Sequence, residues 1–295
     1  MPHIPVLLNE ILEYLDPQPG QKFIDATING GGHGLTITER IKPNGRLLGI
    51  EWDKEIFKNL KSKVESSPLK ENIILINDSY INLKKIAEEN GFDKADGILF
   101  DLGMSSWHLE SGRGFSFQKD EILDMRFNSD LAVSALEIVN TWTMEDLEKI
   151  IREYGEESFA RAIVGEIAKR RKTGIIKTTG QLAETIKKAV PNWYANRRLH
   201  PATKTFQALR MAVNGELQNI EKGIRAALEI LKSGGRLAII SFHGLEDKVI
   251  KKVCLEEKRR GTLAVITKNV IRPSQGEIKK NSRARSAKLR VYEKN

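Results

Sequence analysis

Short apolar segments alternate with helical patterns through the first hundred residues, and this alternation constrains the fold more than any other feature of the chain. The apolar segments are Lys22–Ile24, Arg46–Ile50, Ile73–Ile76 and Gly97–Phe100, each with the length of a buried strand. Helical periodicity separates each of them from the next. Strands that alternate with helices in this way predict an α/β protein whose parallel sheet is covered by helices on both faces.

The alternation stops after the fourth strand, and from about Ser129 to Asn214 the pattern is helical throughout. Thr143 is placed to cap one of these helices, and Gly155 is placed to end it. The chain then alternates again, with the predicted helices Glu216–Leu231 and Leu245–Lys258 and the predicted strands Arg236–Phe242, Thr262–Thr267 and Lys288–Tyr292. We expect the last two strands, joined by a basic polar loop, to form a hairpin at one edge of the sheet.

This order of elements predicts a Rossmann-like sheet domain that is interrupted between its fourth and fifth strands by an all-helical domain. The sheet domain is expected at residues 1–112 and 215–295, and the inserted domain, which we expect to recognise the substrate, at residues 113–214. A chain of 295 residues is long enough to bury a core in each.

Acidic side chains and a glycine loop stand where the predicted strands end. In chain order they are Asp25 with the loop NGGGHG, Glu51, Asp78 with Tyr80, and Asp101. Because open parallel sheets bind ligands beyond the carboxyl ends of their strands, we expect these residues to surround one ligand. Glu51 is placed to accept bonds from ribose hydroxyls, and Asp78 and Tyr80 to bond and stack on an adenine. A tight strand-to-helix turn is the alternative interpretation of the glycines alone.

Two nucleoside cofactors are compatible with this arrangement, and they imply different enzymes. A dinucleotide favours the spacing GxGxxG, which no window of the loop matches, and its pyrophosphate seeks a helix N-terminus as an anion site. S-adenosylmethionine carries a sulfonium cation, which suits a loop flanked by the carboxylates of Asp25 and Asp101. The sequence therefore favours an S-adenosylmethionine-dependent methyltransferase over a nicotinamide-dependent oxidoreductase.

Basic residues are concentrated in two segments of a chain whose net charge is +9. Residues 251–295 hold 14 Lys or Arg against 4 Asp or Glu, and Lys169–Arg210 holds 11 against the single acid Glu184. One such segment is compatible with a solvated face, but two favour a polyanionic partner. The candidate residues for phosphate or base contacts with such a partner, RNA or DNA, are Arg113, Arg126, His200, Lys204, Arg210, His243, Arg283 and Arg285. Structural roles are an equal alternative for the two histidines.

Three aromatic residues, Trp107, Phe115 and Phe117, follow Asp101 closely. A target base must leave its stack to reach the cofactor, and RNA-binding proteins often pack such bases against aromatic rings. Burial in a hydrophobic core is the alternative role for each ring.

The cysteine content and the hydropathy of the chain limit the cellular location and the partners that we expect for the protein. The single cysteine, Cys254, excludes an internal disulfide and is typical of the cytoplasm. No CxxC or HExxH pattern is present, so we expect no metal. No apolar run reaches the length of a membrane span, and the first residues do not have the pattern of a signal peptide, so we expect no membrane partner. A homodimer is compatible with the sequence, which does not determine the oligomeric state.

Eight segments between His3 and Arg290 resemble one enzyme family. They are HIPVLLNE, DATINGGGH, DLGMSSWHL, RGFSF, LDMRF, HPATKTFQALRMAVNGEL, SFHGLED and NSRARSAKLR. In this order they are similar to the bacterial 16S rRNA (cytosine-N4) methyltransferases, the MraW or RsmH family. The resemblance implies methylation, by S-adenosylmethionine, of the exocyclic N4 of a cytidine in the decoding region of 16S rRNA, in the small ribosomal subunit.

The resemblance also implies a set of cofactor contacts. By position these are Gly31, Gly32, His33, Glu51, Tyr80, Asp101 and His108. The chain departs from the family pattern at four positions, where Asn29 replaces a glycine, Glu51 an aspartate, His108 a glutamine and Gly244 a serine. Glutamate and histidine keep the capacity for hydrogen bonding, so we expect these contacts to persist with altered geometry.

Asp101 is the predicted catalytic residue. Cytosine N4 is a poor nucleophile because its lone pair is delocalised into the ring, and an acceptor for an N4 hydrogen stabilises the charge that develops on nitrogen. Cofactor binding alone is the alternative role for Asp101. Methylation at carbon five ordinarily uses a cysteine nucleophile, whereas Cys254 lies in a helical segment where a buried structural thiol is expected. A catalytically silent RNA-binding factor on the same scaffold is the rival from another class, and the intact acids count against it.

Overall fold

The structure is a computed structural model, and it describes residues 5–295. The chain divides into two compact units. The first comprises the described residues up to Ser105 together with Leu217–Asn295, and the second comprises Ser106–Glu216. The second unit begins a few residues before the predicted insertion at 113 and ends just after 214.

The first unit is built on a seven-stranded sheet. Its strands are β1 (Lys22–Asp25), β2 (Arg46–Glu51), β3 (Ile73–Asn77), β4 (Ala95–Asp101), β5 (Leu231–Ser241), β6 (Leu263–Val265) and β7 (Lys288–Lys294). They are arranged in the order β3-β2-β1-β4-β5-β7-β6, in which β1 to β5 are parallel and β7 is antiparallel to both of its neighbours. The Rossmann-like α/β fold predicted from the sequence is confirmed.

Fourteen α-helices are present among residues 5–295. Before the insertion they are α1 (Leu8–Leu15), α2 (Gly32–Ile41), α3 (Lys54–Glu65) and α4 (Leu83–Asn90). The second unit contributes α5 (Ser106–Glu110), α6 (Ala135–Thr141), α7 (Met144–Glu153), α8 (Ala160–Thr173), α9 (Thr179–Ala189), α10 (Asn192–Ala195) and α11 (Ala202–Asn214). The last three are α12 (Glu216–Ile230), α13 (Gly244–Arg259) and α14 (Gln275–Lys280).

Successive strand residues contribute to two separate hydrophobic cores, because side chains alternate between the faces of a sheet. One core contains Ile24, Leu48, Ile98 and Ile239, and the helix α12 packs there through Ile220, Ile224 and Ala227. The other contains Phe23, Leu47, Leu99 and Ile240. Burial on both faces explains why these strands are apolar without interruption.

Two local features differ from the sequence-based expectation. The fifth strand begins at Leu231 rather than Arg236, because Leu231 pairs with Ala95 across a register irregularity in β4. The connection between β6 and β7, expected to be a loop, contains α14, whose N-cap Ser274 accepts a hydrogen bond from the backbone NH of Glu277. None of the helices among residues 5–295 is long and apolar enough to span a bilayer.

Candidate active site

The strand ends that carry the acidic residues are neighbours in the sheet. Asp25 of β1 is in register with Gly49 of β2 and Leu99 of β4, so it lies two residues before the ends of both neighbouring strands. Glu51 is in register with Asn77, the last residue of β3. The parallel pairing therefore brings the ends of four strands to one edge, as the sequence predicts.

The glycine loop turns from β1 into α2 through backbone conformations that favour glycine. Gly31 has φ +83° and is the N-cap of α2, and a Cβ at this position would lie 2.8 Å from Leu60 Cδ1. A Cβ on Gly32 would lie 2.6 Å from Pro5 Cγ. Asn29, where the family pattern has a glycine, has φ 48°. Asparagine is one of the few residues enriched in this region, so the bend accommodates it.

His33 joins this loop to the end of β4. Its buried ring places Nε2 2.8 Å from the backbone carbonyl of Val6 and Nδ1 3.6 Å from Asp101 Oδ2. Because a carbonyl oxygen only accepts hydrogen bonds, Nε2 carries a proton and Nδ1 faces the carboxylate. The backbone NH of Asp101 donates to Thr27 Oγ1 at 2.6 Å, which ties the end of β4 to the loop after β1.

Asp25 is the most deeply buried acid of the group, with 1% of its surface exposed. Burial raises its pKa to about 7 because desolvation disfavours the charged form, and the negative charge of Asp101 adds to this effect. His33 and the backbone NH of Thr27 oppose the rise. At this edge of the sheet, the carboxyl group of Asp101 and the imidazole of His33 therefore both influence the pKa of Asp25.

Glu51 is buried at the end of β2, and its Oε1 accepts a hydrogen bond from the backbone NH of Asp53 at 2.7 Å. Desolvation raises the pKa of Glu51 to about 8, and the charge of Asp53 adds to the rise. Burial makes the ionised form of this carboxyl group unfavourable. Hydroxyl groups of a ligand that donate hydrogen bonds to the carboxylate would stabilise that form. The ribose contact of Glu51 stays a prediction.

The two residues predicted to contact adenine differ in their surroundings. The Asp78 Oδ1 atom accepts hydrogen bonds from the backbone NH of Ser79 and from Asn82 Nδ2, at 2.6 and 2.9 Å. The Tyr80 ring is half-buried and lies edge-on to Phe100, with ring centroids 5.5 Å apart. Asp78 therefore stabilises the turn after β3, while the Tyr80 ring forms part of the surface beside it.

Gly223 is a residue that sequence analysis missed. A Cβ at this position in α12 would lie only 2.6 Å from Tyr80 Cδ2, so the glycine allows the ring to pack against the helix. Glycine is unfavourable inside a helix, and its presence there often has a packing reason. A glycine within the helical pattern of α12 was the sequence feature from which this close contact could have been predicted.

The residues at the strand ends fit S-adenosylmethionine. Carboxylates at the ends of β1 and β4 suit a sulfonium cation, the Glu51 carboxylate suits a ribose diol, and the Tyr80 ring suits a base. The glycine bend leaves Gly30 exposed, and no atom lies within 4 Å of a Cβ built there. The mixed sheet and this set of side chains define an S-adenosylmethionine-dependent methyltransferase with a Rossmann-like fold.

The comparison with known proteins gives the family. The family model described as the MraW methylase family matches residues 1–295, and the chain belongs to this family. It is 45% identical over 295 residues to ribosomal RNA small subunit methyltransferase H of Fervidobacterium nodosum, covering 99% of this chain and 97% of the relative. It is 41% identical over 289 residues to the protein of the same name from Persephonella marina, covering 98% of each. The resemblance stated from the sequence is confirmed.

Solved structures are similar at a lower level. TrmN from Thermus thermophilus has a TM-score of 0.48 and 12% identity, with 98% of this chain and 48% of that chain covered. Fibrillarin from Aeropyrum pernix, a complex with S-adenosylmethionine, has a TM-score of 0.42 and 12% identity, with 97% and 71% covered. The family assignment rests on the sequence match.

Two of the predicted RNA-contact arginines are held inside the helical unit by carboxylates. Arg126 Nε and Nη2 lie 2.6 and 3.1 Å from the two oxygens of Asp124. Arg210 Nε and Nη2 lie 2.7 and 2.8 Å from the two oxygens of Glu216. Both pairs are bidentate, so each guanidinium has a structural role in the unit.

Other candidates of the helical unit lie among aromatic rings. His108 is buried, with its ring centroid 4.8 Å from that of Phe127 and 5.3 Å from that of Phe115. The Arg113 guanidinium stacks 4.7 Å above the Trp107 ring. Phe115 is thus part of a buried aromatic cluster, and the cofactor contact expected of His108 stays a prediction.

Of the remaining candidates, His200, Arg283 and Arg285 are exposed, and Lys204 is half-buried. The His200 ring stacks on Phe117 at 4.5 Å, and desolvation with the charge of Lys187 lowers the pKa of His200. Lys204 Nζ donates to the backbone carbonyl of Glu156 at 2.7 Å. In the first unit, Arg283 and Arg285 are exposed on the short 3-10 helix Ser282–Ser286.

His243 has a structural role that the sequence left open. It is the N-cap of α13, where its Nδ1 accepts a hydrogen bond from the backbone NH of Glu246. The Glu246 side chain in turn accepts from the backbone NH of His243, which completes a capping box. RNA contact by the same ring stays a prediction.

Asn214 is a second residue whose role sequence analysis missed. Its Oδ1 accepts from the backbone NH of Phe127 at 2.7 Å, and its Nδ2 donates to the Met125 carbonyl at 2.8 Å. Met125 has φ 60°, a conformation that is uncommon for a side chain of this kind. The buried amide therefore stabilises this loop and joins the segment LDMRF to the end of α11.

Proposed function

We propose that this protein methylates the exocyclic N4 of a cytidine in the decoding region of 16S rRNA, within the small ribosomal subunit. The observation that carries the proposal is the identity of 45% over 99% of the chain to a protein named ribosomal RNA small subunit methyltransferase H. The basic segments support a polyanionic substrate, and the lone Cys254 is 1% exposed, which supports a nitrogen acceptor over carbon.

Bound S-adenosylmethionine supplies an electrophilic methyl group on a sulfonium centre. The chain supplies the environment for the acceptor. Asp101 at the end of β4 accepts one hydrogen of the cytosine amine, so positive charge on N4 is stabilised as the lone pair is used. The hydrogen bond from the backbone NH of Asp101 to Thr27 Oγ1 holds the end of β4 in place during methyl transfer. Positioning of the amine and the carboxylate accounts for much of the rate.

The His33 ring is held in a fixed orientation beside Asp101. Because Nε2 donates to Val6 O, the ring cannot rotate without losing that bond, and Nδ1 stays directed at Asp101 Oδ2. The surplus proton on N4 passes to Asp101, and the imidazole Nδ1 is the adjacent acceptor within this buried group.

Substrate recognition is assigned to both units. In this proposal the helical unit, residues 106–216, recognises the RNA through its basic surface, and Arg283 and Arg285 of the first unit contact phosphates. Arg126 and Arg210 act mainly through their intramolecular carboxylates. The protein is expected to act in the cytoplasm, where small subunits are assembled.

Mapping of the modified nucleoside tests the proposal. Small subunits that lack the methyl group are incubated with the protein and isotopically labelled S-adenosylmethionine, and the rRNA is digested and mapped by mass spectrometry. We expect the label on N4 of one cytidine of the decoding region. Label on carbon five, on another RNA or on none contradicts the proposal. Calorimetric binding of S-adenosylhomocysteine, with NAD as the negative control, tests the cofactor separately.

A further inference from the structure

Trp193 presents a large aromatic surface to solvent. On α10 its side chain is 60% exposed, whereas the next residue, Tyr194, is 7% exposed. Tryptophan is highly buried on average, so an indole in this position is unusual in a protein surface. The exposure is local to Trp193, because its neighbour anchors the segment.

The anchor is a buried hydrogen bond. Tyr194 Oη donates to Glu157 Oε2 at 2.6 Å, and Glu157 is 1% exposed. Burial and the hydrogen bond to Glu157 raise the pKa of Tyr194 to about 12, so the hydroxyl remains a donor at neutral pH. The turn that carries Trp193 is therefore held to the helical unit by a strong internal contact.

Arg197 and Phe159 hold the indole itself. The Arg197 guanidinium lies 4.7 Å from the centroid of the Trp193 ring and 5.0 Å from that of Tyr194. The Phe159 ring is inclined to the indole, with centroids 5.9 Å apart. A side chain restrained in this way loses little rotamer freedom when a ligand stacks on it, so the ring is preorganised for binding.

The surroundings of Trp193 are basic. Arg197, Arg198, Lys187 and Lys188 are all exposed, and between residues 169 and 210 the only acid is Glu184. Exposed tryptophan and arginine also occur in protein interfaces, but the scarcity of acidic residues in this segment favours a polyanion, and Glu157, which bonds to Tyr194 from outside the segment, is buried. Aromatic platforms beside cationic groups bind single-stranded nucleic acid by stacking on bases and pairing with phosphates.

We propose that Trp193 stacks on an unpaired base of the RNA substrate, and that Arg197 and Arg198 contact the adjoining phosphates. This inference rests on the proposed function, since it takes RNA as the substrate. It adds a binding residue that neither the family resemblance nor the sequence-based candidates include.

Variants of Trp193 test the inference in the full chain. The probe is a fluorescein-labelled single-stranded RNA of about twelve nucleotides with the sequence around the target cytidine, titrated at two salt concentrations. We expect Trp193→Ala to weaken binding by about 5- to 150-fold, the range for loss of one base stack. Trp193→Phe keeps a ring and should bind within a few-fold of the unsubstituted protein. The matched control is Ile175→Ala, since Ile175 is 59% exposed in the same unit and should leave binding unchanged.

Two further measurements keep the test decisive. The thermal midpoint of Trp193→Ala should equal that of the unsubstituted protein, because the side chain is mostly exposed. If this variant is unstable, tryptophan fluorescence decides: RNA should quench the unsubstituted protein more than Trp193→Phe, and equal quenching overturns the inference. Equal RNA affinity of Trp193→Ala and the unsubstituted protein also overturns it and points to a protein partner. Methylation of small subunits by the unsubstituted protein is scored separately, so failure of the proposed function is recognised on its own.

Discussion

His33 Nδ1 lies 3.6 Å from Asp101 Oδ2, while Nε2 of the same ring lies 2.8 Å from the carbonyl of Val6. Because the Val6 carbonyl can only accept a hydrogen bond, Nε2 carries a proton, and Nδ1 is the nitrogen that faces Asp101. This relationship joins the loop after β1 to the end of β4. It makes Asp101 part of a buried acid–imidazole pair rather than an isolated carboxylate.

Asp101→Asn is expected to lower the single-turnover rate of methyl transfer by about 10²- to 10⁴-fold, the usual contribution of a positioned acid or base. The amide keeps the size of the side chain but cannot take the proton from N4. RNA affinity should be unchanged. The control is Asp93→Asn, an exposed acid before β4. Unaltered turnover in Asp101→Asn would remove Asp101 from the chemistry.

Asp25→Asn is expected to flatten the dependence of stability on pH. The pKa of Asp25 is raised to about 7 in the folded protein, against about 3.9 in an unfolded chain. Between these values the folded state keeps a proton that the unfolded state has lost, so the free energy of unfolding falls as pH rises. The stabilisation from Asp25 is complete below about pH 4 and lost above about pH 7. One differential proton corresponds to about 1.4 kcal/mol per pH unit.

The measurement is denaturant unfolding at about pH 5, 6 and 7 for the unsubstituted protein and for Asp25→Asn. The slope of unfolding free energy against pH should be less negative in the variant, by an amount of the order given above. Asp93→Asn again serves as the exposed control. Parallel curves would show that Asp25 ionises normally in the folded protein.

Glu51→Gln is expected to weaken binding of S-adenosylhomocysteine by about 10- to 150-fold, which corresponds to loss of a charged hydrogen bond of about 1.5–3 kcal/mol. Because the pKa of Glu51 is raised to about 8, binding to the ionised carboxylate requires loss of a proton at neutral pH. The affinity of the unsubstituted protein should therefore rise as pH increases toward 8. Calorimetry at several pH values, with the exposed Glu55→Gln as control, measures both effects. If Glu51→Gln bound S-adenosylhomocysteine with the same affinity and the same pH dependence as the unsubstituted protein, the ribose contact would be excluded.

Arg210→Ala is expected to destabilise the protein rather than to affect RNA binding alone. The side chains of Arg210 and Glu216 are 14% and 10% exposed, so removal of the cation leaves a nearly buried carboxylate without its bidentate partner. Breaking such a pair costs about 3–5 kcal/mol. The thermal midpoint should fall sharply, and Arg210→Ala combined with Glu216→Gln should recover part of the loss. The control is Arg161→Ala, which removes an exposed arginine on α8. If Arg210→Ala had a normal thermal midpoint but weaker RNA binding, Arg210 would be an RNA contact rather than a structural residue.

Arg283→Gln combined with Arg285→Gln is expected to weaken RNA binding without loss of stability. Each lost phosphate contact should lower the slope of log affinity against log salt concentration by about 1. Both side chains are exposed, so thermal unfolding should not change. The matched control combines Lys58→Gln with Lys61→Gln, two exposed cations on α3. Equal salt slopes for the two double variants would mean that only net charge matters.

Sequence analysis predicted the fold and the edge of the sheet that carries the site, because both depend on local patterns. The apolar segments around Ile24, Leu48 and Ile98 have strand length, and parallel strands bring their carboxyl ends to the same edge. Each acidic residue at a strand end could therefore be assigned to the site. The beginning of β5 at Leu231 and the helix α14 were missed, since a register irregularity and a capping serine give weak signals.

Other parts of the site depend on approaches between distant segments. The contact of Tyr80 with Gly223 joins residues far apart in the chain, and only a glycine in a helical pattern hinted at it. Arg126 and Arg210 had the composition of RNA contacts, whereas the folded unit pairs them with Asp124 and Glu216. Charge in a sequence does not reveal which cations already have a carboxylate partner.

By itself the sequence determined the order of strands and helices, the family, and the acids that meet at one edge of the sheet, because periodicity and strand direction are properties of the chain. Only the tertiary structure decided how deeply Asp25 and Glu51 are buried, which nitrogen of His33 faces Asp101, and that Trp193 stays exposed while Tyr194 is buried. Burial, proton placement and exposure all depend on atoms that packing brings together from distant parts of the chain.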